Sequence, residues 1–232
     1  MKAIYFSFFF LVAGVCSTAQ NPNNIGVIVN IEEQITHNYI GVTIFNLIHN
    51  KKYESPFELE PSVTDTLLDY LNKRFPRKNF ILIDRQTGIE YMKNQESLRS
   101  KDFKQYKLEW LNNLKAKYEV GSVIFLKNDD SSPDMITNSK YYLDGYGLYN
   151  SALKKHNYIY MPLELYYFED HRNPKYYYGA KCILKDETLP RNIDPKYNFT
   201  QDELMVLEKG LKELIKPQLV KFFEDPEYPV FK

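Results

Sequence analysis

The residues from Val63 to Gln95, VTDTLLDYLNKRFPRKNFILIDRQTGIEYMKNQ, leave the chain little choice of fold. Val63, Leu67, Leu68, Leu71 and Phe75 recur at helical spacing and form one apolar face. Ser62 is a good N-cap, and Asp65 three residues later resembles a capping box. Asp65 and Asp69 lie in the early turns and Lys73 and Arg74 in the last, as the helix dipole favours. Pro76 stops the helix. The run Phe80-Ile81-Leu82-Ile83 then predicts a strand buried on both faces, ended by the charges of Asp84-Arg85. Gly88 allows a turn, and Ile89 to Leu98 reads as a short helix.

On either side of this stretch strands and helices alternate. Ile25 to Ile31 and Tyr39 to Ile48 read as strands, with a polar loop from His49 to Pro61. Ser100 to Tyr118 reads as a helix, broken at Gly121, and Ser122 to Leu126 as a short buried strand. The order β-β-α-β-α-β favours an α/β domain with a mixed sheet covered by helices. After Leu126 the character changes. Tyr141 to Tyr149, Tyr158 to Phe168 and Tyr176 to Leu184 are Tyr-rich strands on short polar links, which predicts an antiparallel portion in the second half. The last helix opens on Thr200-Gln201-Asp202-Glu203, a capping-box match, with Leu204, Leu207, Leu211, Leu214 and Ile215 as its core face. Pro217 predicts a kink or restart.

The first nineteen residues read as a signal peptide and residues 20–232 as a single domain. Lys2 supplies the positive charge and Ala3 to Val15 an apolar region too short for a comfortable membrane span. Ser17-Thr18-Ala19 places cleavage between Ala19 and Gln20, which predicts a periplasmic or secreted protein. The alternative is an outer-membrane lipoprotein, acylated at Cys16 of Ala13-Gly14-Val15-Cys16. Membrane association would then come only from that lipid or from a partner. With Cys16 removed, Cys182 is the one remaining thiol, so no internal disulfide forms. The 30 Lys and Arg balance the 30 Asp and Glu, which argues against a nucleic-acid partner held by bulk charge.

Thr64-Asp65 with Leu67, Leu68 and Leu71, then Phe80-Ile81-Leu82-Ile83-Asp84-Arg85, then Gln95-Glu96, then Val120-Gly121-Ser122-Val123-Ile124-Phe125 form an ordered series. The series resembles the periplasmic domain shared by the curli-secretion channel protein CsgG and related envelope proteins, including the N-terminal domain of TolB. It covers the first half of the mature chain. The resemblance implies a non-enzymatic cell-envelope domain that binds other proteins, and it brings no catalytic residue with it.

The chain shows no built chemistry of a familiar kind. His37, His49, His156 and His171 have no i, i+4 partner and there is no CxxC, so no metal is expected. The loop Asp129-Asp130-Ser131-Ser132-Pro133-Asp134 lacks the Gly and closing Glu of an EF-hand. Gly145-Tyr146-Gly147 lacks the third Gly of a dinucleotide fingerprint and reads as strand glycines at a bulge or close approach, so no cofactor is expected. Cys182 reads as an inert buried thiol. The sequon Asn198-Phe199-Thr200 matters only in a glycosylating source, and Thr200 is better explained as a cap. Glu164 with Asp170 or Glu169 would be the acid pair of a secreted glycosidase-like hydrolase, the runner-up function.

Twenty tyrosines are the unusual feature. Among them Tyr146, Tyr149, Tyr158, Tyr160, Tyr166 and Tyr177 fall on neighbouring predicted strands. Either half of them face a core, or they form an exposed aromatic face that holds a protein or glycan partner. The leading expectation is a non-catalytic binding or assembly module of the envelope, using those tyrosines and the Asp129 to Asp134 loop. A lipid-anchored accessory of an outer-membrane channel is a further alternative.

Overall fold

The computed structural model describes residues 21–41, 49–128, 131–133, 142–151, 156–169, 174–178, 183–190, 196–224 and 231. The leader with Cys16, most of the predicted strand from Tyr39 to Ile48, Asp129, Asp130, Asp134, Asp170, His171 and Cys182 lie outside these residues. In chain order the elements are β1 (Asn21–Asn30), β2 (Gln34–Ile40), β3 (His49–Glu54), α1 (Leu59–Arg74), β4 (Asn79–Leu82), α2 (Arg85–Ser97), α3 (Ser100–Tyr118), β5 (Val120–Asn128), β6 (Ser131–Pro133), β7 (Tyr142–Asp144), β8 (Gly147–Ser151), β9 (Asn157–Tyr160), β10 (Leu163–Phe168), β11 (Lys175–Tyr178), β12 (Ile183–Asp186) and α4 (Gln201–Glu224).

Two five-stranded sheets carry the fold. The first runs β11-β10-β5-β1-β4, with β1 parallel to both β4 and β5 and the β5, β10 and β11 pairs antiparallel. The second runs β12-β9-β8-β2-β3, with β2 and β8 parallel and the other pairs antiparallel. β6 and β7 form a separate two-stranded ladder, and Leu143 of β7 packs against the second sheet. The expected α/β class, mixed sheet, helical cover and antiparallel Tyr-rich portion are what the structure shows.

The core explains the layering. Ile25, Val27, Ile28 and Val29 are all buried, because β1 sits between two parallel neighbours and is covered on both faces. On one face Val27, Ile124, Leu126 and Leu165 meet Val63, Leu67 and Leu71 of α1 and Leu207, Leu211 and Leu214 of α4, together with Ile35, Leu148 and Ile159 of the second sheet. On the other face Ile28, Val123, Phe125 and Phe168 meet Tyr91 of α2 and Trp110, Leu111 and Leu114 of α3.

Several boundaries differ from the sequence reading, each for a local reason. Helix α1 starts at Leu59, not after Ser62, because Pro61 falls in its first turn where the missing N–H costs nothing. Part of the expected loop from His49 is strand β3, a charged edge strand rich in Lys. Strand β4 is likewise an edge: Leu82 is 53% exposed, so the apolar run is not buried on both faces, although Ile83 is. Residues 158–168 are two strands, because Pro162 breaks the ladder and the chain crosses from the second sheet into the first. Residues 175–186 divide between the sheets in the same way.

Helix α4 continues through Pro217 to Glu224. Gln218, fully buried, donates to the Leu214 carbonyl and the Met161 carbonyl (both 2.8 Å) and accepts from the Leu163 amide (2.9 Å). One side chain therefore satisfies the main chain on both sides of the Pro162 break and fastens it to α4.

Candidate functional site

The six tyrosines proposed as a surface are core residues with one partial exception. Tyr146 and Tyr149 are 0% exposed, Tyr160 1%, Tyr166 5% and Tyr177 8%, whereas Tyr158 is half-buried. Burial pushes the Tyr177 phenol up to about 12, with the nearby Tyr167 adding to the shift. The exposed aromatic face is therefore corrected. Strand β10 has helices on one face and the second sheet with α4 on the other, so both parities of its side chains are enclosed. Tyr149 and Tyr160 join Ile40 and Leu143 in a third cluster against the second sheet.

Of the three acids offered for hydrolysis, Asp170 lies outside the described residues. Glu164 and Glu169 stand at opposite ends of β10, with main-chain positions about 16 Å apart at the rise of a strand. Glu164 faces Lys127 (3.4 Å) and accepts from the Tyr166 hydroxyl (2.9 Å) in a buried polar cluster.

The structure does assemble a site where the parallel strands end, the edge at which α/β sheets commonly place ligands. A cleft of about 340 Å³ opens there between the ends of β1 and β3 and the start of α1, lined among others by Glu32, Glu33, Glu54, Glu58, Glu60 and Arg85. Arg85 is its fixed point. The first residue of α2, it projects from the end of the Phe80 to Ile83 run. Its Nε donates to Asn30 (3.1 Å) and faces Glu60 (2.9 Å), Nη1 donates to Glu33 (2.8 Å) and Nη2 to the Ile31 carbonyl (2.9 Å). A planar guanidinium suits this fork of acceptors better than an ammonium would.

Neighbouring groups hold the same strand end in place. The Ile31 amide donates to Glu60 (3.1 Å), the Glu32 amide to Asn128 (2.9 Å), and the Tyr146 hydroxyl to the Glu32 carbonyl (2.8 Å). Of the predicted tyrosines, Tyr146 is thus the one brought to this cleft, as a support beneath it. Desolvation pushes the Glu60 carboxyl above its ordinary value, outweighing the Ile31 amide and Arg85, which pull it down. The rim is less constrained: Glu33, Glu54 and Glu58 are exposed. Lys52, 3.7 Å from Glu32, is a second cation beside the cleft. Five carboxylates line the cleft against Arg85 in it and Lys52 beside it, so it carries an excess of negative charge.

Sequence reasoning missed this cleft. The signal was present in Glu32-Glu33 directly after the first predicted strand, in Glu58 and Glu60 ahead of the helix, and in Asp84-Arg85 at the end of another strand. Charges that follow the ends of parallel strands converge on one edge of the sheet.

No protein-family model matches the chain, and no curated protein matches it. Among solved structures, the hypothetical protein CT253 from Chlamydia trachomatis is similar with a TM-score of 0.35 and 11% identity, over 85% of this chain and 94% of that one. So distant a likeness says nothing of function.

Proposed function

We propose that the protein is an exported, non-catalytic binding or assembly module of the cell envelope, which holds a basic segment of a protein partner in the cleft beside Arg85. The observation that carries this reading is the charge of the cleft. Glu33, Glu54 and Glu58 lie exposed around a cavity whose one embedded cation, Arg85, is already bonded to Glu33, Glu60, Asn30 and the Ile31 carbonyl. A Lys or Arg side chain entering there meets Glu54 and Glu58, which have no cation partner among the described residues, and complementary charge of this kind sets specificity and association rate. The resemblance to the CsgG and TolB domains and the apolar leader support the envelope as the place of action.

Crosslinked capture from intact envelopes tests it, with the native chain compared against Glu33→Lys, Glu54→Lys and Glu58→Lys combined. These three side chains are exposed, so the fold should survive, which circular dichroism checks. The expected result is a partner crosslinked through a Lys- or Arg-rich segment and lost on charge reversal. The mass of the bait's N-terminus separates a chain starting at Gln20 from one acylated at Cys16. Equal capture by both forms, or glycan turnover that Glu164→Gln abolishes, would overturn the proposal.

A further inference from the structure

The edge of the first sheet at β4 carries features that the cleft does not use. The Ile83 amide donates inward to the Val27 carbonyl (2.8 Å), so by the alternation of a strand the main-chain groups of Ile81 and Asn79 also turn toward β1. Those of Phe80 and Leu82 turn outward, where no strand pairs with them among the described residues. Leu82 is 53% exposed, one of three large apolar side chains so placed among the described residues. Unlike β3, with its two lysines, this edge has no charge inside the strand.

Charges flank it: Lys78 in the turn before it, its amine 3.5 Å from the Pro22 carbonyl at the surface, and Asp84 after it, which caps α2 by accepting from the Gln86 amide (2.6 Å) and keeps its second carboxylate oxygen for another partner. By sequence position each stands two residues beyond an outward-turned residue, Lys78 before Phe80 and Asp84 after Leu82. If a second β4 approaches antiparallel about a twofold axis through Ile81, the outward groups of Phe80 meet those of Leu82 in the other copy. The same register sets Lys78 of each copy opposite Asp84 of the other. Axes at Phe80 or Leu82 would also align outward main-chain groups, but they place Lys78 opposite Leu82 or Gln86. Arg85, the remaining charge at this end, is taken up by Glu33 and Glu60.

We propose that two copies of this chain associate edge to edge through β4, antiparallel and centred on Ile81, with Lys78 and Asp84 paired twice across the joint. Formal charge is balanced over the whole chain, so long-range repulsion does not oppose the contact. Four paired residues per copy bury less than a stable dimer needs, so the association is weak and concentration-dependent. It uses none of the residues that line the cleft.

Sedimentation equilibrium of the purified protein over a wide concentration range tests this, in five forms: native, Lys78→Asp, Asp84→Lys, both exchanged together, and Leu82→Lys. Each single reversal turns two attractive pairs repulsive and should weaken dimerisation about tenfold. The double exchange should restore it, and Leu82→Lys should abolish it; Asp84→Lys also removes the α2 cap, so urea unfolding first establishes that each variant is folded at the concentrations compared. A monomer at every concentration would overturn the proposal, as would a dimer indifferent to Leu82→Lys or one weakened by the single reversals and not recovered by the double.

Discussion

Gln218 shows how much can rest on one side chain. Its amide serves three main-chain groups at the point where the chain changes sheets, and it has no exposed surface. Replacing it with Ala strands buried polar groups, so Gln218→Ala should cost about 2–4 kcal/mol, read from urea unfolding. A loss within experimental error would show that the junction at Pro162 does not depend on it. Gly210 makes a second test, with a sign opposite to propensity. Gly to Ala inside a helix ordinarily gains about 1 kcal/mol, but a Cβ here would overlap Ile159 of β9. Gly210→Ala should therefore destabilise, and a raised melting temperature would contradict the packing. Neither residue's part was legible in the sequence, because both depend on what lies across a helix–sheet contact. The tyrosines failed for a related reason. Alternation along a strand predicts that one parity faces water, but β10 is covered on both faces, and Tyr166 and Tyr167 are both buried.

Elements were read best where a terminus carries its own chemistry. Helix α3 runs from Ser100 to Tyr118 as periodicity predicts. Helix α4 starts at the expected capping box: Thr200 Oγ1 accepts from the Glu203 amide (3.4 Å), and Glu203 accepts from the Thr200 amide (2.7 Å). Desolvation pushes the Glu203 carboxyl up, but bonds from the Tyr197 hydroxyl and Thr200 outweigh it and hold the group below its ordinary 4.5. A carboxylate lowered in the folded state stabilises fully above its unfolded value, and that stability goes as pH falls through the folded value. The gap in urea midpoint between the native chain and Glu203→Ala should therefore narrow as pH drops below 4.5. A gap independent of pH would mean that the ionised cap contributes nothing. Boundaries were illegible where an expected breaker is tolerated. Pro61 sits in the first turn of α1, and Pro217 lies within α4.

At the scale of the molecule, the sequence indicated strands alternating with helices but not their division into two sheets. That division depends on the crossing at Pro162 and on α4 packing between the sheets, both of them contacts between distant parts of the chain. The acidic cleft follows from the same topology. Its residues come from after β1, from the end of β3, from the start of α1 and from the start of α2, and only the fold brings them together. Charge recognition in such a cleft should weaken with salt, because the rim carboxylates are open to screening.

The most direct test is a chemical-shift titration of the isotope-labelled protein with a short Arg- and Lys-rich peptide, at low and high salt. The account predicts shifts concentrated at Ile31 to Glu33, Glu54 to Pro61 and Arg85, smaller at high salt and lost when Glu33, Glu54 and Glu58 are reversed to Lys. Shifts scattered over the surface, or confined to the Tyr-rich strands and unchanged by the reversal, would contradict it.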